Sequence, residues 1–568
     1  MPTLIDVLVQ TAASAGCAEP TRLRHSLELA ADKRQPLVDA LVDANMVDED
    51  RFFEKLATGL GIPFDENGAA DAPEGIHNRF PAKIALRHRV FPTQISNTEA
   101  TLITYNPFDL SARQAVGQEL RKRVHWQIAT RHRILEALHQ GYGVGAENFE
   151  ELLEGREAGD DNDDLKQETT VLDEADEEAT VLNFVNQIFR EALKERATDI
   201  HVEPLEKDLR IRYRVDGKLL EVPVPPNMRL LQNSLVSRLK IMAHLDIAER
   251  RLPQDGAVKM PVRGREVDFR IATAPVAHGE CAVVRILDKS SVPLDLPALG
   301  FDATALVKIE ALLRRPNGIV LVTGPTGSGK TTTLYAALAR LNAAERKILS
   351  VEDPVEYRIP GVNQIQVKPE IGLTFAHVLR SVLRHDPDVI LVGEIRDAET
   401  ARIAVQAALT GHTVLSTVHT NSAAAALTRL MDMGVEDYLL TSTISGIISQ
   451  RLVRSLCRAC RQPVPVRPEW RDEFAAAGLP TADNTTVFAP TGCAACSGTG
   501  FKGRTVIAEI LVPGEDVRRL VLEKAGATAI QAAAVAQGME TLRRNGLRKV
   551  LEGETTIEEV SRVVQQEE

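Results

Sequence analysis

The chain shows three successive patterns of apolar and polar positions. Between residues 36 and 64, leucine and phenylalanine recur at roughly helical spacing, and a glycine and a proline end the second predicted helix. The segment ATLITY (100–105) is typical of a strand, and ARQAVGQELRKRV (112–124) is typical of a helix. We therefore expect a small N-terminal α/β domain over residues 1–146.

A break in the pattern follows this domain. Residues 147–178 are acidic, poor in aromatic side chains and aperiodic. Such a composition cannot bury enough apolar surface to fold, which predicts a flexible, self-repelling linker. The alternative is a solvated helical face, since residues 147–157 could extend a preceding helix.

The second pattern begins with an apolar helical stripe and continues with alternating residues. In DLRIRYRVDGKLLEV, apolar and basic residues alternate from Leu209 to Val215, and Asp216-Gly217 then gives a strong turn signal, which predicts a β-hairpin. Further strands are predicted at 267–276 and 281–288, so residues 179–292 form an α/β domain on an antiparallel sheet. The predicted helical stripe comprises Val181, Val185, Ile188, Phe189 and Leu193.

The third pattern starts near residue 315. Short continuous apolar runs, GIVLVTG, KILSVED, DVILVGE and TVLSTVH, alternate with helical segments. Strands of this kind are buried on both faces, which predicts a parallel sheet covered by helices over residues 293–455.

Composition narrows the classes of function. The 568-residue chain has a net charge of -12, which argues against a nucleic-acid motor, because such a protein usually has a basic surface. No run approaches the roughly 18 apolar residues needed to cross a membrane. The N-terminal residues lack the basic region of a signal peptide. We expect a cytoplasmic protein.

Residues 324–333 read GPTGSGKTTT and match the phosphate-binding pattern G-x-x-x-x-G-K-[ST] in full. They follow an apolar strand and open a helix, so backbone N–H groups and the helix N-terminus turn toward the phosphates of ATP. Lys330 is expected to reach the β- and γ-phosphates, and the Thr331 hydroxyl to bind Mg²⁺. The residues predicted to bind the nucleotide are Gly324, Pro325, Thr326, Gly327, Ser328, Gly329, Lys330, Thr331 and Thr332.

An ATP hydrolase also needs a carboxylate at the end of a neighbouring strand to organise Mg²⁺ and the attacking water. DVILVGE ends at Glu394, and SVEDPVE places Glu352 and Glu356 after another apolar strand. Two acidic strand ends downstream of a phosphate-binding loop predict hydrolysis.

The order GPTGSGKTT, ILSVEDPVEY (348–357) and LRHDPDVILVGEIRDAETARIAVQAALTGHTVLSTVHTN (383–421) resembles the type II/type IV secretion ATPase family. The resemblance implies a RecA-like P-loop motor domain preceded by a PAS-like α/β domain, with ATP between the two. It makes Glu394 the Walker B glutamate and assigns Glu352 and Glu356 to an acidic box. The same resemblance places His412 and His419 in a box that senses the γ-phosphate.

The family also supplies arginines to the γ-phosphate, from the preceding domain and from the motor core. By resemblance these are Arg270 in the preceding domain and Arg380, Arg384 and Arg396 in the core. One position departs from the family, where P-Q-D-G-R reads PQDGA, with Ala257 in place of arginine. Either Arg263 or Arg265 replaces this contact, or the contact is dispensable.

Four of the six cysteines form two C-x-x-C pairs. In a reducing compartment two such pairs favour a closed tetrahedral, structural Zn²⁺ site; the alternative is four buried or redox thiols. The pairs define a zinc-knuckle insertion, residues 456–505, followed by a helical region, 506–568. The family carries this insertion in its secretion and pilus-extension branches and lacks it in the retraction branch. The predicted ligands are Cys457, Cys460, Cys493 and Cys496.

The N-terminal domain of the family docks on a membrane-anchored cytoplasmic partner or, in some members, binds cyclic di-GMP. Residues 37–64 match half of the sequence pattern with which those members bind cyclic di-GMP. The Arg-Leu-Gly that should begin this pattern is absent from RQPLVDAL, so docking on the partner is favoured. The resemblance implies a homo-hexameric MgATPase at the inner membrane that drives pseudopilus assembly for type II secretion through a polytopic platform protein. Alternatives are type IV pilus extension, DNA uptake or transfer, and a nucleotide-binding regulator.

Overall fold

The computed structural model describes residues 3–33, 35–44, 46–67, 72–73, 75–142, 171–224, 228–262, 265–288, 295–482 and 484–564. The chain divides into two compact units, Met1–Leu287 and Asp288–Glu568. Among the described residues no helix combines the length and the apolar character needed to cross a bilayer.

The first part of the N-terminal unit is a small α/β domain with its own apolar core. Strand β2 pairs antiparallel with β1 and parallel with β3. The predicted strand at 100–105 is confirmed, but the helix predicted to reach residue 124 ends at Leu120, because Arg121 adopts a left-handed backbone and β3 begins at Arg123. The elements are α1 (Leu4–Ser14), α2 (Pro20–Asp32), α3 (Leu37–Asp43), α4 (Glu49–Leu60), α5 (Ala82–His88), β1 (Val90–Ile95), β2 (Glu99–Thr104), α6 (Leu110–Leu120), β3 (Arg123–Ile128) and α7 (Arg131–Tyr142).

The predicted acidic linker is tested only at its end. Residues 147–170 lie outside the described residues, whereas 171–178 are the beginning of helix α8 (Val171–Lys194) and not linker as predicted. A 24-residue helix runs through this boundary because the apolar stripe beyond it provides a face to bury.

The second part of the N-terminal unit carries the predicted antiparallel sheet, in the order β6-β5-β4-β9-β8-β7 within the described residues. The predicted hairpin is confirmed, since Asp216 and Gly217 both adopt the positive φ angles of its two-residue turn. Resemblance to a PAS domain remains a prediction. The elements are α8 (Val171–Lys194), β4 (Ala197–Pro204), β5 (Leu209–Val215), β6 (Lys218–Val222), α9 (Gln232–Met242), β7 (Gln254–Val262), β8 (Arg265–Val276) and β9 (Gly279–Leu287).

The C-terminal unit is built on a sheet with the order β12-β11-β13-β14-β10-β15-β18 in the part of the chain described, where β18 is Phe501–Leu511. The four predicted apolar strands are confirmed as β10, β11, β13 and β14, all parallel and buried along their length. The elements are α10 (Ala303–Leu313), β10 (Gly318–Thr323), α11 (Lys330–Leu341), β11 (Ile348–Glu352), β12 (Val362–Gln366), α12 (Phe375–Val382), β13 (Val389–Val392), α13 (Ala398–Leu409), β14 (Thr413–Val418), α14 (Ala423–Asp432), α15 (Asp437–Thr443) and β15 (Ile444–Leu456).

The C-terminal end of this unit differs from the prediction in one respect. Residues 506–511, predicted to begin a helical region, belong to strand β18, which returns to the sheet and pairs antiparallel with β15. The last helix, α20, begins after Thr556, whose side chain accepts a hydrogen bond from the Glu559 amide. The elements are β16 (Gln462–Pro465), α16 (Pro468–Ala476), β17 (Thr486–Ala489), β18 (Phe501–Leu511), α17 (Glu515–Leu522), α18 (Ala527–Ala536), α19 (Leu542–Leu551) and α20 (Ile557–Val563).

Candidate active site

The P-loop has the strand–loop–helix geometry that its sequence predicts. Strand β10 ends at Thr323, and α11 begins at Lys330. Gly324, Gly327 and Gly329 adopt positive φ angles, which lets the backbone wrap around a phosphate. A Cβ atom on Gly324 would lie 2.6 Å from the Gln450 carbonyl oxygen, so this position has no room for a side chain.

Lys330 and Ser328 both have features suited to a phosphate ligand. Lys330 Nζ donates to the carbonyl oxygens of Gly324 and Pro325, at 2.9 and 3.0 Å. Burial lowers the pKa of Lys330, the Glu394 charge opposes this, and the Arg451 charge adds to it. The buried Ser328 hydroxyl has no hydrogen-bond partner within the described residues. Phosphate oxygens would satisfy the ammonium and the hydroxyl together.

Glu394 lies at the same edge of the sheet as the P-loop. It follows β13, which is separated from β10 only by β14, and parallel strands end at a common edge. Glu394 is 14% exposed; it forms an ion pair with Arg396, and its Oε2 lies 3.3 Å from His419 Nε2. The structure therefore brings together the predicted carboxylate, His419 and one predicted arginine.

Glu352 ends β11 and is buried in a hydrogen-bond network. Its carboxylate accepts from Tyr335 Oη, from Ser350 Oγ and, at 3.1 Å, from Gln364 Nε2. The Glu356 amide donates to the same Tyr335 oxygen at 3.4 Å, so both acidic-box residues meet one tyrosine. Burial and the Glu352 carboxylate raise the pKa of Tyr335, which keeps its hydroxyl protonated as a donor.

A family model described as Type II/IV secretion system protein matches residues 174–562, well over half of the chain. The chain belongs to this family. Type II secretion system protein E of Xanthomonas campestris pv. campestris is 44% identical over 554 residues, which cover 96% of each chain. Type IV pilus assembly ATPase PilB of Myxococcus xanthus is 42% identical over 529 residues, or 92% of each chain.

Two further matches concern parts of the chain. A model of the MshEN domain matches residues 60–148, within and just beyond the predicted N-terminal domain. The solved structure of the pilus retraction motor PilT with bound ADP covers 67% of this chain and 97% of its own, with 26% identity and a TM-score of 0.45. Family membership supports an ATP-hydrolysing enzyme and confirms the resemblance seen in the sequence.

The prediction for His412 is wrong for a nucleotide bound to the P-loop of its own chain. His412 precedes β14 and His419 follows it, so the two histidines lie at opposite edges of the sheet. The Gly318 amide donates to the His412 carbonyl oxygen at the start of β10, six residues before the P-loop. At about 3.3 Å per strand residue, this separates His412 from the phosphate edge by roughly 20 Å.

The other core arginines contact helices. Arg380 forms an ion pair with Glu399 in the first turn of α13, and Arg384 donates to the Arg380 carbonyl oxygen at 3.1 Å. Neither contact involves a P-loop residue, so a γ-phosphate role for these two residues stays a prediction.

In the N-terminal unit, Arg270 belongs to a row of residues across the antiparallel sheet. Its backbone partners are Ala257 on β7 and Arg285 on β9, and Arg285 is in turn opposite Asp199. Arg285 Nε lies 3.1 Å from Asp199 Oδ1. Arg285 was not predicted from the sequence, although the alternation of CAVVRILD places one cation at that position of the strand. Arg263, one proposed substitute for the missing arginine, lies outside the described residues.

The four predicted zinc ligands converge, with all their sulfur atoms within 4.8 Å of one another. The Sγ–Sγ distances are 3.9 Å for Cys457 and Cys493, and 3.8 Å for both Cys460–Cys496 and Cys493–Cys496. Tetrahedral zinc with Zn–S bonds of about 2.3 Å requires sulfur atoms about 3.8 Å apart. Amides of Cys493 and Gly500 donate to Cys496 Sγ, which favours a thiolate there. The residues therefore fit a structural zinc ion.

Proposed function

We propose that this chain hydrolyses MgATP to drive assembly of a pseudopilus in a type II secretion system. The observation that carries the proposal is the shared sheet edge of the P-loop, Glu394 and His419, in a chain whose relative over nearly its whole length is a type II secretion protein E. Phosphoryl transfer depends mainly on positioning and on positive charge, and this edge provides both.

Each residue has a proposed role. Lys330 leaves the carbonyl oxygens of Gly324 and Pro325 and binds the β- and γ-phosphates, while the Thr331 hydroxyl holds Mg²⁺. The bound Mg²⁺ neutralises charge that develops on the phosphate oxygens. Glu394, oriented by His419, accepts a hydrogen bond from the attacking water.

Positive charge and the acidic box complete the proposed machinery. Arg270 and Arg396 supply positive charge to the γ-phosphate during hydrolysis, and we add Arg285 because it shares the row of Arg270. Glu352 holds the acidic box in place through Tyr335.

We further propose that the chain works as a homo-hexamer at the cytoplasmic face of the inner membrane. Its N-terminal domain docks on a membrane-anchored partner in preference to binding cyclic di-GMP, and the motor acts on a polytopic platform protein. The zinc ion has a structural role. The names and coverage of the relatives support the secretion assignment.

The first test is steady-state ATP hydrolysis by the full chain and by Glu394→Ala, with ring size measured by light scattering. We expect hydrolysis by the wild type, loss of at least about 100-fold in the variant, and hexamers in both. Glu345→Ala removes an exposed loop carboxylate and is the matched control. Equal rates for Glu394→Ala and wild type would contradict the assignment.

Type IV pilus extension is the second candidate, because PilB of Myxococcus xanthus matches 92% of this chain. Complementation distinguishes the two functions. The gene should restore protein secretion to a strain that lacks its type II secretion ATPase. Restoration of pili alone, in a strain that lacks its extension ATPase, would favour the alternative. Salt-sensitive DNA binding would instead indicate a DNA motor.

A further inference from the structure

Gln450 and Arg451 of β15 contact the P-loop, although neither belongs to the motifs described above. Strands β10 and β15 are parallel, and Thr323 pairs with Ser449, so the next two residues of β15 lie beside the start of the loop. Gln450 is 1% exposed and Arg451 is 8% exposed. Two buried polar side chains therefore adjoin the phosphate-binding loop.

Gln450 uses both ends of its amide to hold this loop. Its Nε2 donates to the Ser328 carbonyl oxygen at 2.7 Å, and its Oε1 accepts from Thr333 Oγ1 at 2.9 Å. A Cβ atom on Gly329 would lie 3.2 Å from the same Nε2. Among the described residues, the side-chain hydrogen bonds of Gln450 thus go to the loop and to the first turn of α11.

Arg451 instead lies between the loop and the segment that carries His419. One guanidinium nitrogen donates to the Gln450 carbonyl oxygen at 3.0 Å and would lie 3.1 Å from a Cβ atom on Gly324. The other donates to the carbonyl oxygen of Asn421, two residues after His419, at 2.8 Å. The planar fork of arginine can make both contacts at once.

The charge of Arg451 is also unusual for a buried side chain. Its hydrogen bonds within the described residues all go to carbonyl or amide oxygens and none to a carboxylate. Burial lowers the pKa of Arg451, and the charge of Glu509 opposes this. A buried cation that is not hydrogen-bonded to a carboxylate costs stability, and a bound anion offsets that cost.

We propose that Arg451 is a positioning residue that couples the P-loop to His419. A triphosphate held by the loop then fixes the Asn421 carbonyl group through Arg451. Because His419 lies only two residues before Asn421, this also keeps His419 against Glu394. This inference rests on the proposed ATPase function and adds a residue outside the Walker, acidic-box and His-box motifs.

Arg451→Lys tests the coupling, because lysine keeps the charge and loses the fork. We expect kcat to fall about tenfold or more, while the Kd for ADP changes less than about threefold. In the His419→Ala background the same substitution should have no further effect, because both changes disrupt one coupled unit. Effects that multiply in the double variant would overturn the proposal.

Arg454→Lys is the matched control, three residues further along β15. Arg454 pairs with Glu559 at 2.6 Å, so its substitution should lower the melting temperature. Its effect on kcat should multiply with that of His419→Ala. A loss of ADP binding by Arg451→Lys equal to its loss of kcat would indicate a purely structural role and also overturn the proposal.

A second measurement needs no substitution of Arg451 and no turnover. Hydrogen exchange of residues 449–453 is followed with a non-hydrolysable ATP analogue in wild type and His419→Ala. Because coupling is reciprocal, the analogue should slow exchange at 449–453 in wild type and much less in the variant, with the P-loop protected in both. Equal protection at 449–453 would refute the coupling. Absence of hydrolysis by the wild type would count only against the proposed function.

Discussion

Ala257 lies directly opposite Arg270 in the antiparallel ladder of β7 and β8. Arg285 occupies the other side of Arg270, so an arginine at position 257 would make three cations in adjacent strands of one row. Like charges placed directly opposite each other in a sheet are destabilising. The departure from the family pattern therefore removes a repulsive neighbour of Arg270 and leaves two arginines in the row.

We predict that Ala257→Arg changes the ATPase rate by less than about twofold, because Arg270 and Arg285 already supply the charge. The added guanidinium should lower the free energy of unfolding by about 0.2–1 kcal/mol. Steady-state ATPase assays and urea denaturation measure the two effects, with Ala257→Gln as a control for size without charge. A tenfold increase in rate would mean that the native alanine has cost the enzyme a contact.

The two histidines of the His box should respond differently to alanine. His419→Ala removes one of the two partners of Glu394 and should reduce kcat by about 10- to 100-fold. His412 Nδ1 lies 2.8 Å from the Ala407 carbonyl oxygen at the far edge of the sheet. His412→Ala should therefore lower the melting temperature and leave kcat within about threefold. Comparable losses of kcat in both variants would contradict the assignment of His419 alone.

The hydroxyl of Tyr335 should matter more than that of its neighbour Tyr357. Tyr335→Phe removes a hydrogen-bond donor to the buried Glu352 carboxylate and should lower the free energy of unfolding by about 1–3 kcal/mol. The same substitution should also lower ATPase activity. The Tyr357 ring packs edge-on against Tyr335, and its buried hydroxyl has no partner within the described residues. Tyr357→Phe should be neutral within about 0.5 kcal/mol by urea denaturation. A larger loss for Tyr357→Phe would disprove this account of the network.

Much of the fold could be predicted because its signals are local. A strand such as GIVLVT is apolar at every position, and the glycines and lysine that follow it have one common structural context. The hairpin at Asp216-Gly217 is equally local, since two residues determine its turn. These features need no knowledge of distant parts of the chain.

Apart from the misplaced ends of one helix and of the acidic linker, the errors concern relations between distant residues. Strand β18 was missed because the chain leaves the sheet at Leu456 and returns only at Phe501. His412 and His419 share one motif, yet the strand between them carries them to opposite edges. Arg285 and Tyr335 become relevant only through strand register and through helix packing on Glu352. Sequence spacing alone contains none of this information.

The stability of the C-terminal unit should fall in acid because of Glu559. Burial alone would raise the pKa of this carboxyl, but hydrogen bonds from Arg454 and Arg562 outweigh it and lower the pKa to about 2. Because the pKa of Glu559 is lower in the folded state than in the unfolded state, its ionised carboxylate stabilises the folded state fully above about pH 5. This stabilisation is lost as the pH falls toward 2.

Glu559→Gln should therefore lower the free energy of unfolding at pH 7 by about 1–3 kcal/mol and flatten its decline between pH 5 and pH 2. Urea denaturation at a series of pH values measures both effects. Glu558→Gln, a change at the exposed neighbouring residue, should leave the curve unchanged. An undiminished acid slope in Glu559→Gln would exclude this carboxylate as the source.

The cysteine cluster should contain one zinc ion per chain in the purified protein. Metal analysis should find this ion in the wild type but not in Cys493→Ser, because three thiolates bind zinc less tightly than four. Zinc binding stabilises the folded state, so the variant and a chelator-treated wild type should melt at similar, lower temperatures. Cys281→Ser, at a half-buried cysteine outside the cluster, is the matched control and should retain the zinc. Full metal content in Cys493→Ser would show that this sulfur is not a ligand.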